Sequence, residues 1–169
     1  MATVNDCTAY PGFVGNLPEY SQGAGVRGVL RFHVNMADQI TFLPSGSFTG
    51  SAGDSIKIWT IPAFTHIKCV GVYLWKVDAA PTATITIGDS DGPAYWLASF
   101  TLGPTAKTQK MTLNSDVNGL TFGKSYNAAD YLKVTFGTAG VTTAIFDVFV
   151  EATTFIVPDL ATAAPTTWK

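Results

Sequence analysis

Charge is what this chain has least of. Only 13% of its 169 residues are Asp, Glu, Lys or Arg, against 47% hydrophobic, a low density for a domain that must stay dissolved on its own. Part of the surface is therefore expected to be covered by a partner. The net charge is −2, and the basic residues lie scattered from Arg27 to Lys169 without forming a cluster. No positive field exists to follow a phosphate backbone, so nucleic-acid binding is not expected.

Reactive side chains are equally scarce. There are two histidines and two cysteines, and no His/Cys or Cys/Cys pair stands at zinc spacing. No Gly-x-Ser-x-Gly elbow, Gly-Lys-Ser/Thr loop or Gly-x-Gly-x-x-Gly turn occurs. His33 and His66 are expected to be solvated or structurally hydrogen-bonded, not bases of a triad. A disulfide between Cys7 and Cys69 stays open, but Cys69 sits in an alternating apolar run and reads as a small buried hydrophobe; two free thiols are the expectation. Catalytic residues, metal ligands and cofactors are thus expected to be none, and the chain is not expected to be an enzyme. No apolar run approaches the roughly 20 residues that cross a bilayer, so no membrane partner is expected. Met-Ala-Thr-Val-Asn-Asp at the start lacks the charged and apolar regions of a secretory leader, which predicts synthesis in the cytoplasm.

What the chain has in quantity is alternation. Leu30, Phe32, Val34 and Met36 fall on one face of a strand, with Val29, Arg31, His33 and Asn35 on the other. Ser55 to Ile61 follows and stops at Pro62, which cannot donate to a ladder. Thr65 to Lys76 sets His66, Lys68, Val70, Val72 and Leu74 against Ile67, Cys69, Gly71, Tyr73 and Trp75. Both faces turn apolar after Lys68, which predicts a central strand covered on two sides. Thr84 to Ile87, Tyr95 to Thr101, Gln109 to Leu113, Tyr131 to Phe136 and Thr142 to Ala152 complete the set, the last with Ala144, Phe146, Val148 and Val150 on one face. Helical periodicity is nowhere sustained, and Asn127 to Asp130 is too short for more than a turn. The reading is an all-β chain: a single antiparallel β-sandwich, jelly-roll-like, over residues 27–155.

Two segments flank it. Residues 1–26 interleave Tyr10, Phe13, Leu17 and Tyr20 with six Pro and Gly residues (Pro11, Gly12, Gly15, Pro18, Gly23, Gly25). That mixture resists regular structure yet carries too much apolar surface for a linker. It reads as an extended arm that packs on a partner or on its own domain. Residues 156–169 read as an extended tail, and Trp168 is an odd side chain to leave in water. Tyr10, Phe13, Leu17, Tyr20 and Trp168 are the candidate partner-binding residues.

One motif has possible ligand chemistry. Asp89-Ser-Asp-Gly92 places two carboxylates two residues apart, as in a calcium loop, but lacks the further oxygens such a site takes. A turn after Ile85 and Ile87 is the expected reading. Tyr73, Trp75, Tyr95 and Trp96 similarly admit a sugar platform, against core or interface packing.

The segments Ile61-Pro-Ala-Phe-Thr-His-Ile-Lys-Cys-Val-Gly-Val-Tyr-Leu-Trp75, Ala83-Thr-Ile-Thr-Ile-Gly-Asp-Ser-Asp-Gly92 and Tyr126-Asn-Ala-Ala-Asp-Tyr-Leu-Lys-Val-Thr-Phe136 together resemble a pattern in small structural proteins of tailed-bacteriophage virions. The resemblance spans about residues 55 to 152 and rests on turn chemistry within β-structure. It implies a capsid decoration or cement protein: a β-sandwich, often trimeric, on the outside of the head, clamping neighbouring major capsid subunits. On that reading the partners are the major capsid protein and further copies of the chain, the location is the virion exterior, and no catalytic residue carries over. The alternative is a tail- or fibre-associated carbohydrate- or receptor-binding sandwich.

Overall fold

The computed structural model describes residues 4–6, 26–41, 48–80, 82–104, 110–113, 123–137 and 140–155. Among these residues ten strands and one short helix follow in order: β1 (Val4–Asp6), β2 (Val26–Asn35), α1 (Met36–Thr41), β3 (Ser55–Ile61), β4 (Thr65–Lys76), β5 (Thr84–Asp89), β6 (Gly92–Thr101), β7 (Lys110–Leu113), β8 (Lys124–Tyr126), β9 (Asp130–Phe136) and β10 (Ile145–Thr154). They form two sheets. Sheet A has the order β1-β3-β9-β5-β6, and sheet B has β2-β10-β4-β7 with β8 also pairing β4. Without the short β1 and β8, the orders β3-β9-β5-β6 and β2-β10-β4-β7 are the interleaved Greek keys of a jelly roll. Every described pairing is antiparallel except β1 with β3, which is parallel.

Alternation decides which side chains meet between the sheets. Leu30, Phe32 and Val34 of β2 face Ile56, Ile61, Ile85, Ile87, Leu132 and Val134 of sheet A, all at most 1% exposed. Phe32 approaches Trp59 with ring centroids 6.0 Å apart, and Phe48 meets Phe136 edge-on at 5.8 Å. Phe146, Val148 and Val150 of β10 are fully buried, as the alternation predicts.

Three expectations need correction. Met36 does not continue β2: it opens α1, and its buried side chain enters the core from a helix of six residues. So short a helix shows no period in the sequence, and Met36 happens to extend the strand's parity. The faces of β4 also change along its length. A register shift against β10 lies between Glu151 and Ala152, opposite Cys69 and Ile67, so Ile67 and Val70 both point into the core at 0% exposure while Lys68 is exposed. Finally, β4 is central between β10 and the β7/β8 edge, but among the described residues its second face is only partly covered: Gly71 is buried, Cys69 and Tyr73 are half-buried, and Trp75 is 57% exposed.

The register fixes what gathers at each end. Ile61 pairs with Asp130, Thr65 with both Thr154 and Tyr126, and Thr154 with Val26. One end therefore holds the turn at residues 62–64, the β5–β6 turn and the β8–β9 turn, with the start of β2 and the finish of β10. All three segments that carry the virion resemblance place their turns here. At the β5–β6 turn a Cβ on Gly88 would lie 1.8 Å from the Gly92 carbonyl oxygen, so the two backbones approach only because the side chain is hydrogen. Asn35, Lys76, Ile145, Ser55 and Phe136 mark the opposite end.

Candidate functional site

The partner-binding candidates Tyr10, Phe13, Leu17, Tyr20 and Trp168 lie outside the described residues, as does Cys7. Of the arm, Val4–Asp6 forms β1, in register with Ser55–Lys57 at the edge of sheet A. Most of the remaining candidates gather around two buried aspartates, Asp147 and Asp89, and a third buried aspartate, Asp78, holds a cluster of its own.

The first lies on the outward face of sheet B. Asp147 occupies the middle of β10, flanked by β2 and β4, in register with His33 and Tyr73. Its carboxylate is 0% exposed and accepts four donors. Arg31 gives Nε at 2.8 Å and Nη2 at 2.7 Å, and Trp75 gives Nε1 at 2.6 Å, all to Oδ2. His33 gives Nδ1 to Oδ1 at 2.7 Å. The guanidinium carbon also stands 5.8 Å from the centre of the Trp75 ring, which meets Tyr73 edge-on at 4.6 Å. Three of these donors meet at Oδ2 and His33 alone at Oδ1, so the carboxylate is tied into the sheet surface by charge-assisted hydrogen bonds. What the cluster does is hold Arg31, His33 and Trp75 in fixed poses at the surface. Arg, Trp and Tyr are the side chains that carry most energy at protein interfaces. Exposed Val29 extends the same face.

The second cluster surrounds the Asp89 turn. Asp89, 1% exposed, accepts at Oδ2 from Lys124 Nζ at 2.8 Å, Trp96 Nε1 at 3.2 Å and the Tyr126 hydroxyl at 2.5 Å. Its Oδ1 accepts the Asp91 amide at 3.0 Å, which closes the turn. Lys124 also reaches Asp91 Oδ2 at 2.6 Å and stands 4.2 Å from the centre of the Tyr95 ring. The ammonium thus takes the position between the two carboxylates where a cation would sit. Burial alone pulls its pKa down, but hydrogen bonds to Asp89 and Asp91 outweigh that and hold it above the ordinary lysine value. Burial and then the Asp89 bond push the Tyr126 phenol well above its ordinary range. No group of three or more His, Cys, Asp or Glu able to hold a metal occurs among the described residues. The sugar platform also divides here: Trp96 is fully buried while Trp75 is on the other sheet's outer face.

The third aspartate was not singled out by the sequence. Asp78 follows β4 and is 0% exposed. Its Oδ2 accepts the amides of Thr142, Thr143 and Ala144 at 2.8, 2.8 and 3.1 Å, and Oδ1 accepts Ala80 N at 2.9 Å. Burial pushes this carboxyl up, yet the four backbone donors leave its pKa below the usual value. It pins the approach to β10.

Other candidates have ordinary partners. His66 Nδ1 lies 2.9 Å from Ser125 Oγ. Cys69 is a free, half-buried thiol whose Sγ is 3.6 Å from Glu151 Oε2, and burial, then Glu151, push its pKa up. Among the described residues no helix is long and apolar enough to cross a membrane.

No family model matches the chain, and no curated protein matches it. Solved structures are similar in fold. A chain of the cyanophage Pam1 capsid asymmetric unit aligns with TM-score 0.56 at 16% identity, covering 83% of this chain and 94% of that one. A chain of the capsid of Ralstonia phage GP4 aligns with TM-score 0.60 at 16% identity, covering 92% of this chain and 100% of that one. At such identity the likeness establishes the fold, an all-β sandwich shared nearly end to end with chains found in two phage capsids.

Proposed function

We propose that this chain is a structural component of a bacteriophage capsid, specifically a decoration or cement protein on the outside of the head that braces neighbouring major capsid subunits without covalent chemistry. The observation that carries the reading is the fold likeness to chains of two phage capsids, which takes in 83% and 92% of this chain. The hydrogen-bonded aspartates and the low charge density support it, because they build rigid surface. A protein that binds only the assembled shell stabilises that shell by mass action. Self-association as a trimer is part of the proposal, through the outward face of sheet B where Val29 and Trp75 are exposed. Residues 1–26, with Tyr10, Phe13, Leu17 and Tyr20, are the proposed grip on the shell, and Trp168 of the tail the next candidate.

The test uses shells of the phage that carries the gene, stripped of this protein. The full chain is expected to sediment with them and raise their melting temperature; a chain that stays in the supernatant overturns the reading. A chain beginning at Arg27 is expected to keep β-type circular dichroism and a cooperative melt but lose the shells. Light scattering at micromolar concentration should give a trimer mass, and a monomer mass ends the self-association proposal.

A further inference from the structure

The exposed large apolar side chains of the described residues fall in three places. Val29 and Trp75 lie on the outward face of sheet B, Val77 follows β4 at the Asp78 end, and Phe64 and Phe155, 46% and 55% exposed, lie together at the other end. The Phe155 amide donates to the Phe64 carbonyl at 2.9 Å, so the two residues are held side by side by the backbone. Phe64 has a φ of 59°, and no other non-glycine residue described has a positive φ. A bulky side chain in the left-handed region is unfavourable where Gly or Asn would fit without strain. Such strain persists at sites where the side chain has a use, and here the use is not core packing.

Topology adds an independent line. Val26 opens β2 and pairs with Thr154, and Phe155 follows β10, so sheet B's first strand begins and its last strand ends beside the phenylalanine pair. Among the described residues, the charged side chains of the β5–β6 and β8–β9 turns that reach the surface are acidic, while the nearest exposed base, Lys68, lies further along β4 and pairs with Glu151. Asp91 is 59% exposed, whereas Lys124 is turned inward at 16%, and Asp130 caps Ser90 at 2.8 Å.

From these we infer that the Phe64 end is the face that seats on the capsid shell, with Phe64 and Phe155 entering an apolar hollow of the major capsid protein rimmed by basic side chains. The inference rests on the capsid reading above and names the surface that performs it. Aromatic anchors in a pocket with complementary charge at the rim are how a small face binds a protein firmly.

Sedimentation with stripped shells tests it, using Phe64→Gly, Phe155→Ser, the double variant, and Val77→Ser at the opposite end as the control. Each single change is expected to weaken binding about tenfold and the pair about a hundredfold, while Phe64→Gly melts within about 4 °C of the unaltered chain because relieved strain offsets lost contact. Val77→Ser should bind as before. Hydroxyl-radical footprinting of the unaltered full chain supplies a readout that does not depend on any variant folding: Phe64 and Phe155 should be protected on shells and Val77 not. If the full chain binds but the double variant binds equally, or the pair stays unprotected, this inference fails and the capsid reading stands. If the full chain does not bind shells at all, both fail.

Discussion

At the Asp78 end of the sandwich a buried carboxylate is held by main-chain amides, whereas at the Phe64 end the buried carboxylate of Asp89 is held mainly by side chains from two strands, β6 and β8. Asp78 draws on Ala80, Thr142, Thr143 and Ala144. Asp89 draws on Lys124, Trp96 and Tyr126, with one amide from Asp91. Backbone donors fix the path of the chain and present nothing outward. Side-chain donors fix the side chains themselves, and so set the shape of a surface. The Asp78 end is also where Gly50 takes a φ of 68° under the Val141 carbonyl and where the Phe136 amide donates to the Asp54 carbonyl while the Phe136 carbonyl accepts from Gly53. The first end is built as a clasp and the second as a face, which is why the exposed phenylalanine pair stands at the second.

The largest effect should come from breaking the clasp. Asp78→Ala leaves amides of three successive residues without their acceptor, and each buried donor left unmet costs about 1–3 kcal/mol. Some will find water, so the expected loss is about 3–5 kcal/mol, read by denaturant melts. The pH dependence follows from sign. The folded pKa of Asp78 is below its ordinary value of 3.8, so its contribution is complete above that value and disappears as pH falls through the folded one. The gap in stability between the unaltered chain and Asp78→Asn should hold constant from neutral pH down to about 4 and then close. Lys124 runs the other way. Its pKa is raised above 10.5, so its contribution is present below that value and is lost as pH rises through the folded one. The Phe64 end should therefore loosen at the alkaline limit, where Lys124 loses its proton; a stability that does not fall there would remove the lysine from the account.

Asp89→Ala comes next and should cost less, about 2–3 kcal/mol. Lys124 keeps Asp91 at 2.6 Å, and Trp96 Nε1 keeps the Tyr126 hydroxyl at 3.0 Å, so fewer groups are stranded than around Asp78. Near-equal losses for the two alanine variants would show that the side-chain network has no such redundancy.

Much of this fold was legible in the residues. The parity of Leu30 to Val34 and of Ala144 to Val150 gave both inner faces of sheet B, because alternation in a half-buried strand is set by burial alone. The Asp89 turn was legible because Asp and Gly act locally. Register between distant strands was not. Arg31 and His33 were placed on the outward face of their strand, but their meeting with Asp147 spans 116 and 114 residues and depends on how β2 slides against β10. Lys124 reaches Asp89 across 35 residues, from a strand three residues long that carries no period. The shift in β4 was hidden for the same reason, since a bulge is a property of the pair of strands and not of one. Asp78 gave no signal at all, being a lone aspartate after a strand.

The smallest expected effect is none. If Asp89 and Asp91 held calcium, chelation would strip a stabilising ligand and the melting temperature would fall by tens of degrees; if Lys124 fills the position between them, EDTA should leave the melt unchanged. The geometry favours the second. Calcium takes about six to eight oxygens, whereas Asp89 Oδ2 already accepts from Lys124, Trp96 and Tyr126 and Asp91 Oδ2 from Lys124. A calcium ion would have to displace an ammonium ion bonded at 2.8 and 2.6 Å and leave it 16% exposed without a counter-charge, which is among the costlier arrangements a protein can adopt. Lys124→Met gives the sharper form of the test. Removing the ammonium leaves two carboxylates facing one another, so the variant should be destabilised and should recover part of that loss in millimolar calcium, while the unaltered chain responds to neither calcium nor chelator. A calcium-dependent melt in the unaltered chain would mean that the lysine yields to the metal, and the Phe64 end would then be a regulated surface in place of a fixed one.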